Sequence, residues 1–385
     1  MTGISELLEQ FIYIANHPEK QKEKFLAEGK KIFAVLPYYV PDEIIAAAGA
    51  VPMGIWGCKG TPELAKEYFP SFFCTIAQMN VEMMLNGTLE GISGVVCPSL
   101  CDTLRPLQQD LQEASKWPVI YLSHPQARAK DYGVRFTKYQ YTNMKNQVEE
   151  ITGTRITDEA LWEAIHVFNE NRAACRKFVR LAGLHPEVVS AVARSAVLKS
   201  RFFMLRPEHS AMLKKLNDAL DALPETEWEG TRVVLSGILA DNPEFLKILD
   251  ENRIAVAADD LAHESRSFRN DVAAGEGMDP LEALARQFGA ANDDTILYDP
   301  KIMERPKHVL SLVKENGAQG VVLPMMTFCD PEEMEYPYLK KMLDEADVPL
   351  LQLGYDQTMS VFGQAATALE TFAQILEQKK ETAKP

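Results

Sequence analysis

The stretch Gly91-Ile92-Ser93-Gly94-Val95-Val96-Cys97-Pro98-Ser99-Leu100-Cys101-Asp102-Thr103-Leu104-Arg105 decides how the chain is read. Gly94-Val95-Val96 has the uninterrupted apolar character of a strand buried on both faces, and Pro98 predicts the end of regular pairing. From Asp102 to Ser115, Leu104, Leu107, Leu111 and Ala114 recur at helical spacing. A buried strand thus delivers two cysteines and a helix start at its carboxyl end. In open α/β sheets that is where ligands sit.

Working outward, the same alternation appears on both sides. Residues 5–30 carry a helical pattern ending near Gly29, Lys31 to Pro37 reads as a strand, and Pro41 to Ala48 as a helix stopped by Gly49. Val51 to Trp56 reads as a strand, Phe72 to Leu85 as a helix with Cys74 in its first turn and Asn86-Gly87 as its stop, and Pro118 to Leu122 as another strand. Repetition of β and α predicts a mostly parallel sheet covered by helices.

Beyond Tyr139 the period changes to long helical patterns: Asp158 to Leu181 with Leu161, Ile165, Phe168 and Phe178 on one face, a second opening at Pro186, and Glu208 to Leu220. Pro224 to Glu227 reads as a linker. Strand signals then return at Thr231–Leu235, Ile254–Ala258, Gly320–Leu323 and Pro349–Leu353, with Asn242-Pro243 opening a helix. The expected fold class is α/β: two Rossmann- or flavodoxin-like parallel-sheet domains with an intervening helical region. The expected boundaries are 1–138 for the first domain with its N-terminal helix, 139–228 for the helical region and 229–385 for the second domain.

With 385 residues, 46% of them hydrophobic and 25% charged, the chain can build two substantial cores. No apolar run approaches the roughly 18–20 residues that span a bilayer, and no basic segment precedes an apolar one at the N-terminus. The expected location is the cytoplasm. A net charge of −15 argues against nonspecific nucleic-acid binding and a polybasic membrane anchor. Six cysteines are too sparse for a disulfide scaffold, and in a reducing compartment they are free thiols, packing residues or metal ligands.

Cys74, Cys101 and Cys329 each stand near a helix start, and Cys101 and Cys329 each follow a buried strand. Asp330 can cap the last of these helices, with Pro331 in its first turn and Glu333 completing a capping box. A thiolate gains favourable dipole interaction there. The three could converge on one metal centre, or they could be separate packing thiols; spacing leaves both open. Cys97 reads as an inward-packed strand end, Cys175 as a helix-packing thiol, and Cys58 as a weaker metal candidate in a loop. His124, before Pro125, is a cleft or loop residue; His263, Arg266 and Arg269, after the Ile254 strand, are candidates for a cleft, where an arginine could meet a phosphate or carboxylate. Met325-Met326 beside Phe328 reads as core. There is no Walker A segment, no placed Gly-x-Gly-x-x-Gly and no His-Glu-x-x-His.

Taken together, Tyr68-Phe69-Pro70-Ser71-Phe72-Phe73-Cys74, Cys101-Asp102-Thr103-Leu104 and Phe328-Cys329-Asp330-Pro331 resemble the smaller β subunits of the 2-hydroxyacyl-CoA dehydratases, the family that also contains benzoyl-CoA reductase subunits. Tyr38 to Ile45, Gly54-Ile55-Trp56-Gly57, His124-Pro125-Gln126 and Gly363-Gln364 extend the resemblance over nearly the whole chain. It implies one [4Fe-4S] cluster per chain held by Cys74, Cys101 and Cys329, with a non-cysteinyl fourth position. It implies further a homologous larger α subunit that carries most of the substrate chemistry, and an ATP-hydrolysing iron-sulfur activator that injects an electron.

The implied reaction adds one electron to the thioester carbonyl of a (R)-2-hydroxyacyl-CoA. The ketyl radical anion expels the hydroxyl, the β proton becomes acidic, and return of the electron leaves the (E)-2-enoyl-CoA. (R)-2-Hydroxyglutaryl-CoA, giving (E)-glutaconyl-CoA in amino-acid fermentation, is the first expectation. 2-Hydroxyisocaproyl-CoA or phenyllactyl-CoA dehydration, aromatic acyl-CoA reduction and a noncatalytic iron-sulfur assembly role are the alternatives. Gly363-Gln364-Ala365-Ala366 lacks the arginine that often follows this pair in the family, which weakens substrate contacts from that helix.

Overall fold

The computed structural model describes residues 2–55, 60–275, 277–291 and 303–382. Two four-stranded sheets form, both wholly parallel. The first contains β1 (Ile32–Val35), β2 (Val51–Gly54), β3 (Gly94–Pro98) and β4 (Val119–Leu122) in the order β2-β1-β3-β4. The second contains β5 (Thr231–Gly237), β6 (Ile254–Leu261), β7 (Gly320–Met326) and β8 (Leu350–Tyr355) in the order β6-β5-β7-β8. Parallel neighbours need crossovers, and the helices Asp42–Ala47, Thr75–Leu85 and Leu104–Ala114 supply them in the first sheet. The expected α/β architecture with two parallel sheets is therefore present.

Both sheets have the strand order of a doubly wound fold, so the chain reverses direction between β1 and β3 and again between β5 and β7. Ligand-binding crevices open at such reversals, beyond the carboxyl ends of the strands. Burial explains why these strands read as apolar runs: β1, β2, β3, β6 and β7 are buried at every position. Val95 and Cys97 of one sheet belong to the same buried cluster as Val233, Leu235 and Val322 of the other.

Pro98 does not stop the pairing as its identity predicts; it is the last residue of β3 and stands opposite Leu122 of β4. Val95 and Ser99 donate their N–H groups to Pro118 and Leu122, on the β4 side. Val96 accepts from Leu36 on the β1 side, so by alternation the missing N–H of Pro98 faces β1. There the next carbonyl, that of Leu36, already accepts from the Tyr38 N–H at 2.9 Å. The proline thus occupies a ladder position with no bond to lose.

Between the sheets lie the helices Asp131–Thr152, Asp158–Leu184, Ala191–Ser200 and Arg206–Asp221. The first of these runs through residue 138, where the helical pattern of the sequence gives no sign of an element that starts at Asp131. The third begins at Ala191 and not at Pro186, because Ser190 Oγ caps it by accepting the Ala193 N–H at 3.1 Å. Leu161, Ile165, Phe168 and Phe178 are buried along the Asp158–Leu184 helix as their spacing predicts. That helix closes onto β6 at Gly183, where an added Cβ would lie 2.5 Å from the Ala257 carbonyl oxygen. Among the described residues no helix is long and apolar enough to cross a membrane.

Candidate functional site

Three thiols gather where the two sheets present their carboxyl ends. Cys74 is the N-cap of the Thr75–Leu85 helix rather than a residue of its first turn. The N–H groups of Ile76 and Ala77 lie near its sulfur and favour its thiolate. The approach is fixed by Gln78, whose Nε2 donates to the Phe73 carbonyl at 2.8 Å, and by Phe69 packing on Phe73 at 5.2 Å between ring centroids. Cys101 follows β3, with the N–H groups of Thr103 and Leu104 near its sulfur and its carbonyl accepting from Arg105 at 3.1 Å.

Cys329 follows β7 and is itself the N-cap of the Asp330–Glu345 helix. Asp330, the cap that the sequence predicts, is instead the first helical residue, and no side chain caps this end. The Cys329 carbonyl accepts from the N–H groups of Glu332 and Glu333, both at 3.0 Å, and the Glu332 N–H lies near enough to the sulfur to favour its thiolate. Phe328, just before it, has a left-handed backbone, φ +62°, which turns the chain sharply out of β7. A phenylalanine there costs conformational energy that the surrounding contacts must cover.

These starts are brought together from opposite ends of the sequence. Thr75 Oγ1 donates to Asp356 Oδ2, just after β8, at 3.1 Å, which ties the Cys74 helix to the second sheet. The negative form of Cys74 bears on Cys329, that of Cys101 bears on both Cys74 and Cys329, and Asp330 bears on Cys101. Each of the three residues is half-buried, while Cys97 and Cys175 are buried fully in packing clusters.

Burial governs the thiols' protonation. It pushes Cys74 up to about 11 and Cys97 up to about 12, and it raises Cys101 and Cys329 as well. Nearby backbone N–H groups pull the three site thiols partly back, whereas none acts on Cys97. Cys329 is raised further by the Glu332 carboxyl, which is itself pushed by burial to about 7. In the free protein these sulfurs are thiols, and a metal must displace their protons to bind.

Among the described residues no group of three or more His, Cys, Asp or Glu side chains is placed to hold a metal ion. The donor set does match the chemistry of an iron-sulfur cluster: soft sulfur ligands, backbone N–H groups aimed at them, and restricted water. A cluster also interposes iron and sulfide between its thiolates, so its ligands stand wider apart than those of one ion.

The other candidates take different places. His124 is held by backbone, with Nδ1 at 3.1 Å from the Leu122 carbonyl and Nε2 at 3.2 Å from that of Tyr39, and burial lowers its pKa to about 4. His263 is buried with Nδ1 3.2 Å from the Ile238 carbonyl. Arg266 and Arg269 both bind Asp260, at 3.0 and 2.9 Å, and line a cleft that none of the three cysteines lines. Met325 and Met326 are buried as expected for core, whereas Phe328 is 42% exposed. Cys58 lies outside the described residues.

Sequence reasoning does not single out Asp260, Arg305 or Glu332. Asp260 is wholly buried and receives Arg305 as well as Arg266 and Arg269, and Arg305 also pairs with Glu335. These guanidinium groups hold the Asp260 carboxyl far below the usual carboxylate range despite its burial. The one local signal is Asp259-Asp260 at the end of an otherwise apolar strand.

Fold and site define an α/β protein with two matched parallel sheets and a convergent set of thiols at helix starts. The family model described as 2-hydroxyglutaryl-CoA dehydratase, D-component, matches residues 37–376. The chain belongs to this family of 2-hydroxyacyl-CoA dehydratase subunits. It is 49% identical to the β subunit of (R)-2-hydroxyglutaryl-CoA dehydratase from Acidaminococcus fermentans, over 97% of this chain and 100% of that one. It is 36% identical to the β subunit of (R)-phenyllactyl-CoA dehydratase from Clostridium sporogenes, over 98% and 100% of the two chains. Against one of the benzoyl-CoA reductase chains of Thauera aromatica it is 28% identical, over 89% and 90%.

Proposed function

We propose that this chain is the β subunit of an (R)-2-hydroxyacyl-CoA dehydratase, with (R)-2-hydroxyglutaryl-CoA as the preferred substrate of the complete enzyme and (E)-glutaconyl-CoA as the product. The observation that carries the reading is the 49% identity to a β subunit of that activity across 97% of the chain. In this reading Cys74, Cys101 and Cys329 hold a [4Fe-4S] cluster, a homologous α subunit binds the substrate, and an ATP-hydrolysing activator supplies the electron. When bound, such a cluster would accept and release one electron at low potential.

The chain's own residues serve that role electrostatically. The nearby N–H groups of Ile76, Ala77, Thr103, Leu104 and Glu332 offset negative charge at the three sulfurs. The helix beginning at Thr75 and that beginning at Asp330 add the positive ends of their dipoles. The Thr75–Asp356 bond holds the two sheets in register around the sulfurs. The packed core behind them keeps water back.

Anaerobic reconstitution tests the cluster: about four iron and four sulfide per chain are expected, and a chain that stays free of iron refutes it. Assay with α subunit, activator, ATP and reductant tests the reaction. Enoyl-CoA formation supports dehydration, and a reduced ring from an aromatic acyl-CoA would assign the chain to the reductases. Comparing 2-hydroxyglutaryl-, 2-hydroxyisocaproyl- and phenyllactyl-CoA by kcat/KM then ranks the substrates.

A further inference from the structure

A cleft of about 110 Å³ lies between the loop after β1, the helical layer and the end of β6. Arg172, Arg201, Arg206, Arg266 and Arg269 line it, against the carboxylates of Asp42 and Glu43 only. This local excess of positive charge sits in a chain whose net charge is −15.

Pairing accounts for four of the five guanidinium groups. Glu43 takes Arg172, Asp42 takes Arg206 at 3.1 Å, and Asp260, behind the wall, takes Arg266 and Arg269. Arg201 is 5% exposed, and among the described residues no carboxylate pairs with it. Its Nη2 donates to Ser267 Oγ at 2.8 Å, and its guanidinium lies over the rings of Phe202 and Phe268 at 4.6 and 5.4 Å. Its Nε has no hydrogen-bond partner, and neither has Asp42 Oδ1 across the same cleft. The neighbouring Cys175 does not balance the charge, since burial keeps it a neutral thiol. A buried cation without a counter-ion is costly, and a guanidinium is suited to carboxylate and phosphate oxygens.

We propose that this cleft binds a small oxyanion, a carboxylate or a phosphate group, with Arg201 as its charge partner and a ligand hydroxyl donating to Asp42 Oδ1. The aromatic walls formed by Tyr39, Phe168 and Phe288 restrict the ligand's size. No cysteine lines the cleft, so this site stands whether or not a cluster is bound.

The test is calorimetric titration of the anaerobically purified full-length chain with orthophosphate and, separately, glutarate, using chloride at equal ionic strength as the control. Saturable binding of at least one is expected; orthophosphate alone assigns a phosphate-bearing ligand, and glutarate alone a carboxylic acid. Arg201→Gln is expected to weaken binding by about tenfold or more, the loss that follows one charge-assisted pair, with Arg201→Lys losing less. Should Arg201→Gln fail to fold, Asn270→Trp at the exposed rim decides by obstructing the mouth. Absence of binding by both anions, or unchanged affinity in Arg201→Gln, overturns the proposal. With an unfolded Arg201→Gln, unchanged affinity in Asn270→Trp does the same.

Discussion

The two sheets are built to one plan and finished differently. Phe33, Ala34 and Val35 of β1 pair with Gly94, Val95 and Val96, while Val233, Val234 and Leu235 of β5 pair with Gly320, Val321 and Val322. That register places Gly94-Val95-Val96-Cys97-Pro98 on Gly320-Val321-Val322-Leu323-Pro324, and each run leads to a Cys-Asp pair, Cys101-Asp102 and Cys329-Asp330. Both central strands therefore deliver a thiol from the same architectural position. The helix entering β3 contributes a further thiol, Cys74. The helix entering β7, Glu304–Glu315, instead carries the buried Arg305 in its first turn, bound to Asp260. One half spends that helix start on a potential ligand; the other uses it to fix strand ends by charge.

The largest effect should come from the thiols that this plan places. If the proposed cluster is right, Cys74→Ser, Cys101→Ser and Cys329→Ser should each lose or strongly perturb it and abolish dehydration by the complete enzyme, whereas Cys175→Ser should keep its iron and its reduced paramagnetic signal. Equal iron in Cys101→Ser and Cys175→Ser would break the correspondence between strand ends and ligands.

Asp260→Ala should destabilise the second half by about 3–5 kcal/mol, because the buried Arg266 and Arg305 and the half-buried Arg269 would lose their shared counter-charge. Urea unfolding reads this directly, and a loss below about 1 kcal/mol would mean that the charge knot carries no weight.

Proton linkage should separate the halves with opposite signs. Burial raises Asp42 from 3.8 to about 6, so its contribution is fully present below 3.8 and is lost as pH rises through about 6. Asp260 is depressed, so its contribution is present above the ordinary carboxylate value of 3.8 and is lost as pH falls through its low folded pKa. The stability of the wild type relative to Asp42→Asn should therefore decline between pH 3.8 and about 6, and urea midpoints across that window measure it. A rise over the same window would reverse the assignment.

The smallest effect belongs to Pro98→Ala. Because the ladder partner at Leu36 is already used, the restored N–H gains no strand bond, and the change in stability should stay within about 1 kcal/mol. A stabilisation well above that, in the same unfolding measurement, would show that β1 can extend to meet it.

The strands and most helices are legible in the sequence because burial on both faces leaves unbroken apolar runs, as at Val95-Val96 and Val321-Val322, and because helix stops such as Gly49 and Asn86-Gly87 are local. The match between the two halves is not, since five residues of a strand are too short a repeat to stand out until pairing aligns them. Arg201, Arg206 and Arg305 carry no local sequence signal of burial, and only packing between distant segments buries them. Capping at Cys329 is misread from sequence because Asp330-Pro331 carries a strong local signal, which the turn at Phe328 moves one residue along. The cysteine motifs are legible as a family pattern, while their approach to one another depends on the Thr75–Asp356 tie between residues remote in the chain.

That tie also has a consequence during synthesis. Cys74 and Cys101 leave the ribosome long before Cys329, and at roughly 5–20 residues per second the interval is on the order of ten seconds or more. Throughout it, the two early thiols wait without the strand that brings the third, and without Asp356 to anchor the Cys74 helix. An oxidant or a stray metal ion met in that interval would encounter an unfinished pocket, so for the cluster proposed above the order of translation favours loading only after the last sheet has closed.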